Sequence, residues 1–395
     1  MEFTIKQSVL KEELGYIQGV VERKSTIPVL SNILIESLGE NSIRVVGTDL
    51  DVTIRCDAEA DIKKPGAMCI QARKLFEIVR TLDGGDVHFK KEENEWVQMS
   101  AGRAKFRLAG VSREQFPEVP SFKSAPLRLS AEIFNYFIQN TAFAITNEQS
   151  RFTLSGAKFT LAGDKAVMVT TDGHRLAYIA KQLDTPIETV MDTLIPKKAL
   201  LELVKISRDT TGDIQFGEDQ NHIYFDLGGR LLITRKLTGN FPNYEMVMPK
   251  DNDKKVAFDL ADMKSAVRRI SLMADERNRS IRVTVREGEV EITAQSSEEG
   301  EGAEVVPADY TGEEVLLGFN HQYLQEFLNN VGALEGAEAV AGAAAAGSNE
   351  SEPAAVAKTP TRISFEFKDA NAATQIRIAG DTAYDYKYIV MPLRI

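Results

Sequence analysis

The residues best placed for chemistry in this chain are Asp172-Gly173-His174-Arg175, where a carboxylate, an imidazole and a guanidinium fall within four consecutive positions. A hydrolase could use such a set as base, acid and anion clamp. A working catalytic site also needs a nucleophile held by its base and an oxyanion or metal site. Neither is legible. The four histidines, His88, His174, His222 and His321, are scattered without a ligand spacing such as HExxH, and no GxSxG elbow or GxxxxGK[ST] phosphate loop occurs. The two cysteines, Cys56 and Cys69, make neither a disulfide framework nor a CxxC-type metal site. Asp172-Gly173 reads better as a tight turn between strands, because Gly tolerates positive φ and Asp caps such turns. No catalytic residue, metal or cofactor is expected, and His174 is left as a pocket-lining or hydrogen-bonded side chain.

The elements around that turn come from a chain of 395 residues, long enough for two to three domains. At 43% hydrophobic residues there is ample material for cores, and no apolar run is long enough to span a membrane. The opening Met1-Glu2-Phe3-Thr4-Ile5-Lys6 lacks a basic region followed by an apolar stretch, so no secretory signal is expected and a cytoplasmic protein fits. A net charge of -11 excludes a uniformly basic binder of nucleic acid. It does not exclude basic groups gathered on one surface.

A long repeat organises the chain. Phe116-Pro117 recurs as Phe241-Pro242, 125 residues on, and Thr48-Asp49 recurs as Thr171-Asp172, 123 residues on. Helical stretches recur around Leu75, Leu200 and Leu324, at intervals of 125 and 124. The phrase Met246-Val247-Met248-Pro249 returns near the end as Ile389-Val390-Met391-Pro392, with an interval longer by 18 residues. That excess falls in 335–358, an Ala/Gly/Glu-rich stretch without aromatics that reads as a flexible inserted loop. A short Ala-rich helix is the other reading of it. The period implies three similar domains, 1–125, 126–252 and 253–395.

Each repeat has the same order of elements. A first helix carries an apolar stripe: Leu10, Leu14, Ile17 and Val21, then Ile133, Phe134 and Phe137, then Met263, Ala266, Val267 and Ile270. Alternating strands follow, then a second helix, then hairpins beginning near Asp86, Asp213 and Arg362. The fold class is α+β, with two helices per domain packed on antiparallel sheets. Three of the six expected helices have basic outward faces: Arg73, Lys74 and Arg80; Lys198, Glu202, Lys205 and Arg208; Lys264, Arg268 and Arg269. A solvated surface explains any one of them. Their recurrence in related domains points to phosphate contacts without sequence reading.

Thr170-Thr171-Asp172-Gly173-His174-Arg175-Leu176-Ala177, Phe241-Pro242-Asn243-Tyr244 and the terminal Ile389-Val390-Met391-Pro392-Leu393-Arg394-Ile395 together resemble the bacterial DNA sliding clamps, the beta subunits of DNA polymerase III. Thr26-Ile27-Pro28-Val29-Leu30-Ser31-Asn32, Gly47-Thr48-Asp49-Leu50 and Gly318-Phe319-Asn320 extend the resemblance along the whole chain apart from 335–358. It implies a non-catalytic processivity factor: a homodimeric, head-to-tail ring of six domains encircling duplex DNA. It also implies tethering of the DNA polymerase III catalytic subunit, the clamp loader and other proteins that carry a clamp-binding peptide.

Carried over by position, the partner-peptide pocket comprises Leu154, Thr171, Gly173, His174, Arg175, Leu176, Pro242, Met246, Val247, Val390, Met391, Pro392 and Leu393, with Arg394 at its rim. Apolar walls would bury the peptide's anchors, and Arg175 with the turn backbone would fix its polar groups. Some family members carry arginine where this chain has Met246, which shifts that rim from polar contact to apolar packing. The DNA-facing set is Lys24, Arg73, Lys74, Arg80, Lys197, Lys198, Asn320 and Tyr323. For the ring seam, Phe106 and Leu108 of one protomer meet Leu272 and Met273 of the other, with Arg103 and Lys105 facing Glu298, Glu299, Glu301 or Glu304. Apolar burial and strand pairing dominate there, since exposed ion pairs contribute only ~0–1 kcal/mol each. The alternatives are a repeat-domain scaffold that does not encircle DNA and an enzyme with an unrecognised site.

Overall fold

The computed structural model describes residues 1–21, 26–120, 127–148, 150–297, 300–331, 361–380 and 383–394. Lys24, Glu298, Glu299 and the whole 335–358 stretch lie outside them. The helices stand where the apolar stripes place them: α1 Gln7–Ile17, α2 Ala72–Val79, α3 Ala131–Thr141, α4 Lys197–Ile206, α5 Leu260–Ile270 and α6 over 321–331. Leu10, Leu14 and Ile17 of α1 are buried as the stripe requires, while Val21 falls beyond the helix end. Asp259 caps α5 by accepting from the backbone N–H groups of Ala261 and Asp262 at 2.8 and 3.2 Å.

Between the helices the chain alternates apolar and polar residues, and antiparallel sheets form. Two compact units result, Met1–Tyr136 with Ile195–Leu237, and Phe137–Leu194 with Thr238–Ile395. The first unit contains a five-stranded sheet, from Asp61–Lys64 at one edge to Ala104–Leu108 at the other, and a nine-stranded sheet. The nine-stranded sheet is continuous across two repeats, because Val52–Glu59 pairs antiparallel with Arg230–Arg235. The second unit holds a ten-stranded sheet that crosses repeats in the same way, Arg175 to Ala180 pairing with Val390 to Asp385. Aromatic pairs mark the cores: Phe3 stacks on Phe89 at 4.8 Å in the first unit, and Phe327 on Tyr388 at 5.1 Å in the second.

The repeat reaches down to single hydrogen bonds. In the second repeat Thr171 Oγ1 donates to the Arg175 carbonyl at 2.6 Å, and the Gly173 N–H donates to Thr171 Oγ1 at 3.0 Å. Asp172 Oδ1 accepts from the N–H groups of His174 and Arg175 at 2.9 and 3.1 Å. The first repeat makes the same turn: Thr48 Oγ1 donates to the Val52 carbonyl at 3.2 Å, and Asp49 Oδ1 accepts from Asp51 and Val52 at 3.0 and 2.7 Å. The third turn position needs positive φ in both, 80° at Leu50 and 92° at Gly173. Glycine makes that conformation free of steric cost; leucine holds it under strain.

A polar tie centred on Arg230 joins repeats inside the first unit. Arg230 donates to Glu13 at 2.7 and 3.0 Å and to Glu12 at 2.6 Å, and its guanidinium lies 4.3 Å from the Tyr16 ring centroid. Elsewhere in the unit, Gly19 comes so close to the Glu202 carboxylate that a Cβ there would sit 2.1 Å from an oxygen. Cys56 and Cys69 are buried and unbridged, and burial pushes both thiols up, Cys69 to about 11.

Candidate functional site

The Thr171–Arg175 turn is the hub of the candidate pocket. Its far end pairs with the last strand, Asp385–Val390, and the ladder runs on as the Met391 N–H donates to the His174 carbonyl at 2.9 Å. Two residues later the Leu393 N–H donates to the Gly318 carbonyl at 2.8 Å, so the terminal segment is pinned at two points. Over this floor lies segment 241–249. Phe241, Tyr244 and Met248 turn down onto Val167, Val169, Leu176, Tyr178 and Ile389. That leaves Pro242, Met246 and Val247 facing out, with Met246 82% exposed and Val247 38%. Met391 adds another 39% exposed apolar side chain, and Pro392 and Leu393 are half-buried. Leu154 closes a short 3-10 turn and is buried. An apolar surface held open on a hydrogen-bonded frame suits a partner's apolar side chains.

Arg175 departs from its expected role. It is buried, and its donors are used inside the protein: Nε to Asp172 at 3.0 Å, Nη2 to the Phe143 carbonyl at 2.8 Å, Nη1 to Glu326 and, at 3.4 Å, to Tyr388. Tyr323 lies under the guanidinium at 4.4 Å. Burial works against the charge, but Tyr388 and Glu326 outweigh it and hold the pKa above its ordinary value. Arg175 therefore braces the turn from below and does not reach out to a peptide. Glu326 and Tyr388 stand 151 and 213 residues from Arg175 in sequence, and no local signal announces them.

The basic helix faces sort unevenly. On α2, Arg73, Lys74 and Arg80 are exposed, although Glu77 draws Arg73 to 2.8 Å and Lys74 to 3.8 Å. On α4 the expected outward row is corrected: Glu202 is buried and accepts from Lys205 at 2.7 Å, while Leu201 takes its place outside, 44% exposed. The apolar stripe Ala199, Leu200, Leu203 and Ile206 is wide enough to carry position 202 inward. Lys197 is half-buried, and Lys198 is held by Asp49 and by the Val20 carbonyl at 3.2 Å. In the second unit, Asn320 caps α6 by accepting from the Gln322 N–H at 2.9 Å, and Tyr323 is partly covered by Arg175.

Family descriptions of the N-terminal, central and C-terminal domains of the DNA polymerase III beta subunit match residues 1–120, 128–243 and 245–339. The beta sliding clamp of Caulobacter vibrioides is 30% identical over 402 residues, covering 100% of both chains. The chain belongs to the beta sliding clamps. Among solved structures, the clamp of Bartonella birtlesii bound to griselimycin is similar at a TM-score of 0.87 and 29% identity, again over 100% of both chains. The Caulobacter crescentus clamp, with polyethylene glycol bound to what its description terms a putative beta-motif tethering region, is similar at 0.85, 29% and 100% of both chains.

In this clamp the expected seam residues among those described lie on, or in turns beside, two sheet edges that are open among the described residues. Ala104–Leu108 is the last strand of the five-stranded sheet, with Val97–Ala101 on its other side. Phe106 is half-buried, Leu108 buried, and Arg103 and Lys105 exposed. In the second unit, Gly300–Asp309 pairs along one side with Glu289–Ser296. On its other side it meets Lys254–Asp259 only through Ala308 and Asp309, so among the described residues the stretch from Gly300 to Pro307 has a free edge. Leu272 stands 74% exposed in the short turn after α5, next to half-buried Met273. Glu301 is exposed, whereas Glu304 is already engaged by Arg269 of its own chain, with Nε donating at 2.8 Å. Among the described residues no cluster of His, Cys, Asp and Glu could hold a metal ion, and no helix is long and apolar enough to cross a membrane.

Proposed function

We propose that two copies of this chain close head to tail into a ring around duplex DNA and act there, without catalysis, as a cytoplasmic tether for replication and repair proteins. The full-length match to the sliding clamps, all three domains in order, carries this reading. Two strand edges without a neighbour among the described residues support the closure: Ala104–Leu108 of one protomer would continue the sheet at Gly300–Pro307 of the next, with Phe106 covering Leu272. Exposed Arg73, Lys74 and Arg80 on α2, half-buried Lys197 and Lys198 on α4, and Lys24, Asn320 and Tyr323 would meet phosphates without reading bases. The apolar wall of Pro242, Met246, Val247 and Met391 would take the anchors of a partner peptide, as the polyethylene glycol at the beta-motif tethering region of the Caulobacter clamp suggests. The DNA polymerase III catalytic subunit and the clamp loader are the partners the family implies.

The pocket gives the tether its test. His174→Glu and Met391→Glu place a charge on exposed positions of the wall without touching a strand edge. Each is expected to abolish binding of an apolar-aromatic clamp-binding peptide and to reduce polymerase processivity, with the dimer mass unchanged. Unaltered peptide affinity by calorimetry overturns the pocket assignment.

A further inference from the structure

Beside the apolar wall lies a second concavity of about 640 Å³, lined by Lys165, Val167, Tyr178, Tyr244, Glu245, Met248, Pro249, Lys250, Gln375 and Lys387. Its chemistry differs from the wall's. Tyr178 and Tyr244 face each other with ring centroids 6.0 Å apart. The Lys387 and Lys165 ammonium groups stand 5.0 and 5.9 Å from the Tyr178 ring. Lys250 adds a third positive charge; Glu245 is the one acidic group of the lining. Lys387 is already matched by Asp385 at 2.8 Å. Lys165 and Lys250 are exposed, and among the described residues neither is tied into an ion pair. With Asp385 offsetting Lys387 and Glu245 a second lysine, the groove keeps an excess of one positive charge in a chain of net charge -11.

The concavity adjoins the pocket wall, since Glu245 and Met248, on either side of Met246 and Val247, line it. Leu176 and Tyr178 are alternate residues of one strand, on one face and about 7 Å apart. Both belong to the apolar cluster on which Tyr244 and Met248 rest. A peptide anchored against exposed Met246 and Val247 thus lies next to the concavity, which their chain neighbours Glu245 and Met248 line. Granted the peptide pocket argued above, we propose that the groove of Lys165, Lys250 and Lys387 is a charge-selective extension of it. The groove takes acidic side chains that flank a partner's apolar anchors, and so ranks partners that share the same anchors.

The test uses three peptides on the intact dimer: the apolar-aromatic anchor with neutral flanks, the same anchor with four acidic residues added at either end, and the acidic segment alone. The comparison protein is Lys165→Ala with Lys250→Ala, which spares the Lys387–Asp385 pair. At low salt the acidic flank at one end is expected to tighten binding roughly fivefold, as a few partly exposed charge pairs allow. The gain is expected to vanish in the double variant and at high salt, with the neutral peptide unaffected. Equal affinity of the acidic and neutral peptides overturns the proposal, as does a gain that survives in the double variant. A double variant that loses affinity for a duplex oligonucleotide but keeps the acidic gain assigns the lysines to nucleic acid and overturns it too. Failure of the neutral peptide to bind sinks the pocket alone. The groove is then judged on the acidic segment, whose weak binding must disappear in the double variant.

Discussion

Leu272→Ala isolates the apolar part of the seam. In a single protomer Leu272 is 74% exposed, so its removal opens no cavity and leaves the monomer's stability nearly unchanged. If Phe106 of the next protomer covers it, assembly buries most of a leucine side chain, a gain of about 2 kcal/mol. A head-to-tail ring has two equivalent seams, so each substitution counts twice, about 4 kcal/mol in all. At about 1.4 kcal/mol per decade this raises the dimer dissociation constant roughly a thousandfold. Sedimentation equilibrium over nanomolar to micromolar protein measures it directly. Leu272 alone is a cleaner probe than a double substitution with Met273, which is half-buried in its own protomer. A dissociation constant within about threefold of wild type would refute the seam.

Two further substitutions probe the polar frame. Arg175→Met leaves Glu326, the Phe143 carbonyl and Asp172 Oδ2 without their Arg175 donor, a loss of about 2–3 kcal/mol once the half-exposed Glu326 pair is discounted. Hydrogen exchange is expected to quicken at the 171–175 amides and peptide affinity to fall, although Arg175 reaches no peptide; unchanged exchange contradicts the brace. Arg230→Met strands the buried Glu13 carboxylate, a loss of about 2–4 kcal/mol once the partly exposed Glu12 pair is discounted. Adding Glu13→Gln is expected to restore part of that loss in a double-mutant cycle by denaturant unfolding, and strict additivity would show that the two do not interact.

The repeated architecture was legible because it is written in period and spacing. The stripe Leu10, Leu14, Ile17 places a helix whatever surrounds it, and the Thr-Asp turn of the first and second repeats keeps one hydrogen-bond pattern across 123 residues. Sheet continuity was not legible. Pairing of Val52–Glu59 with Arg230–Arg235 is a matter of register between distant strands, and alternation says nothing about which neighbour a strand finds. Charge patterns misled at the same point. Glu202 and Arg175 read as outward polar groups, but each is carried inward by the apolar residues beside it; Glu202 keeps the i+3 partner Lys205, whereas Arg175 is held by Glu326 and Tyr388, which no spacing predicts. Met246 was the reverse case: noted as a departure from the arginine that some family members carry, it is the most exposed of the large apolar side chains among the described residues.

The central claim is topological, since a closed ring holds DNA by linkage and only weakly by contact. Its most direct test loads the protein onto nicked circular duplex DNA with a clamp loader, isolates the complex at moderate salt, and then cuts the circle once with a restriction enzyme. Retention on the circle with prompt loss after linearisation is the expected result. Retention that ignores the cut, or release from the intact circle at the same rate, would contradict encirclement.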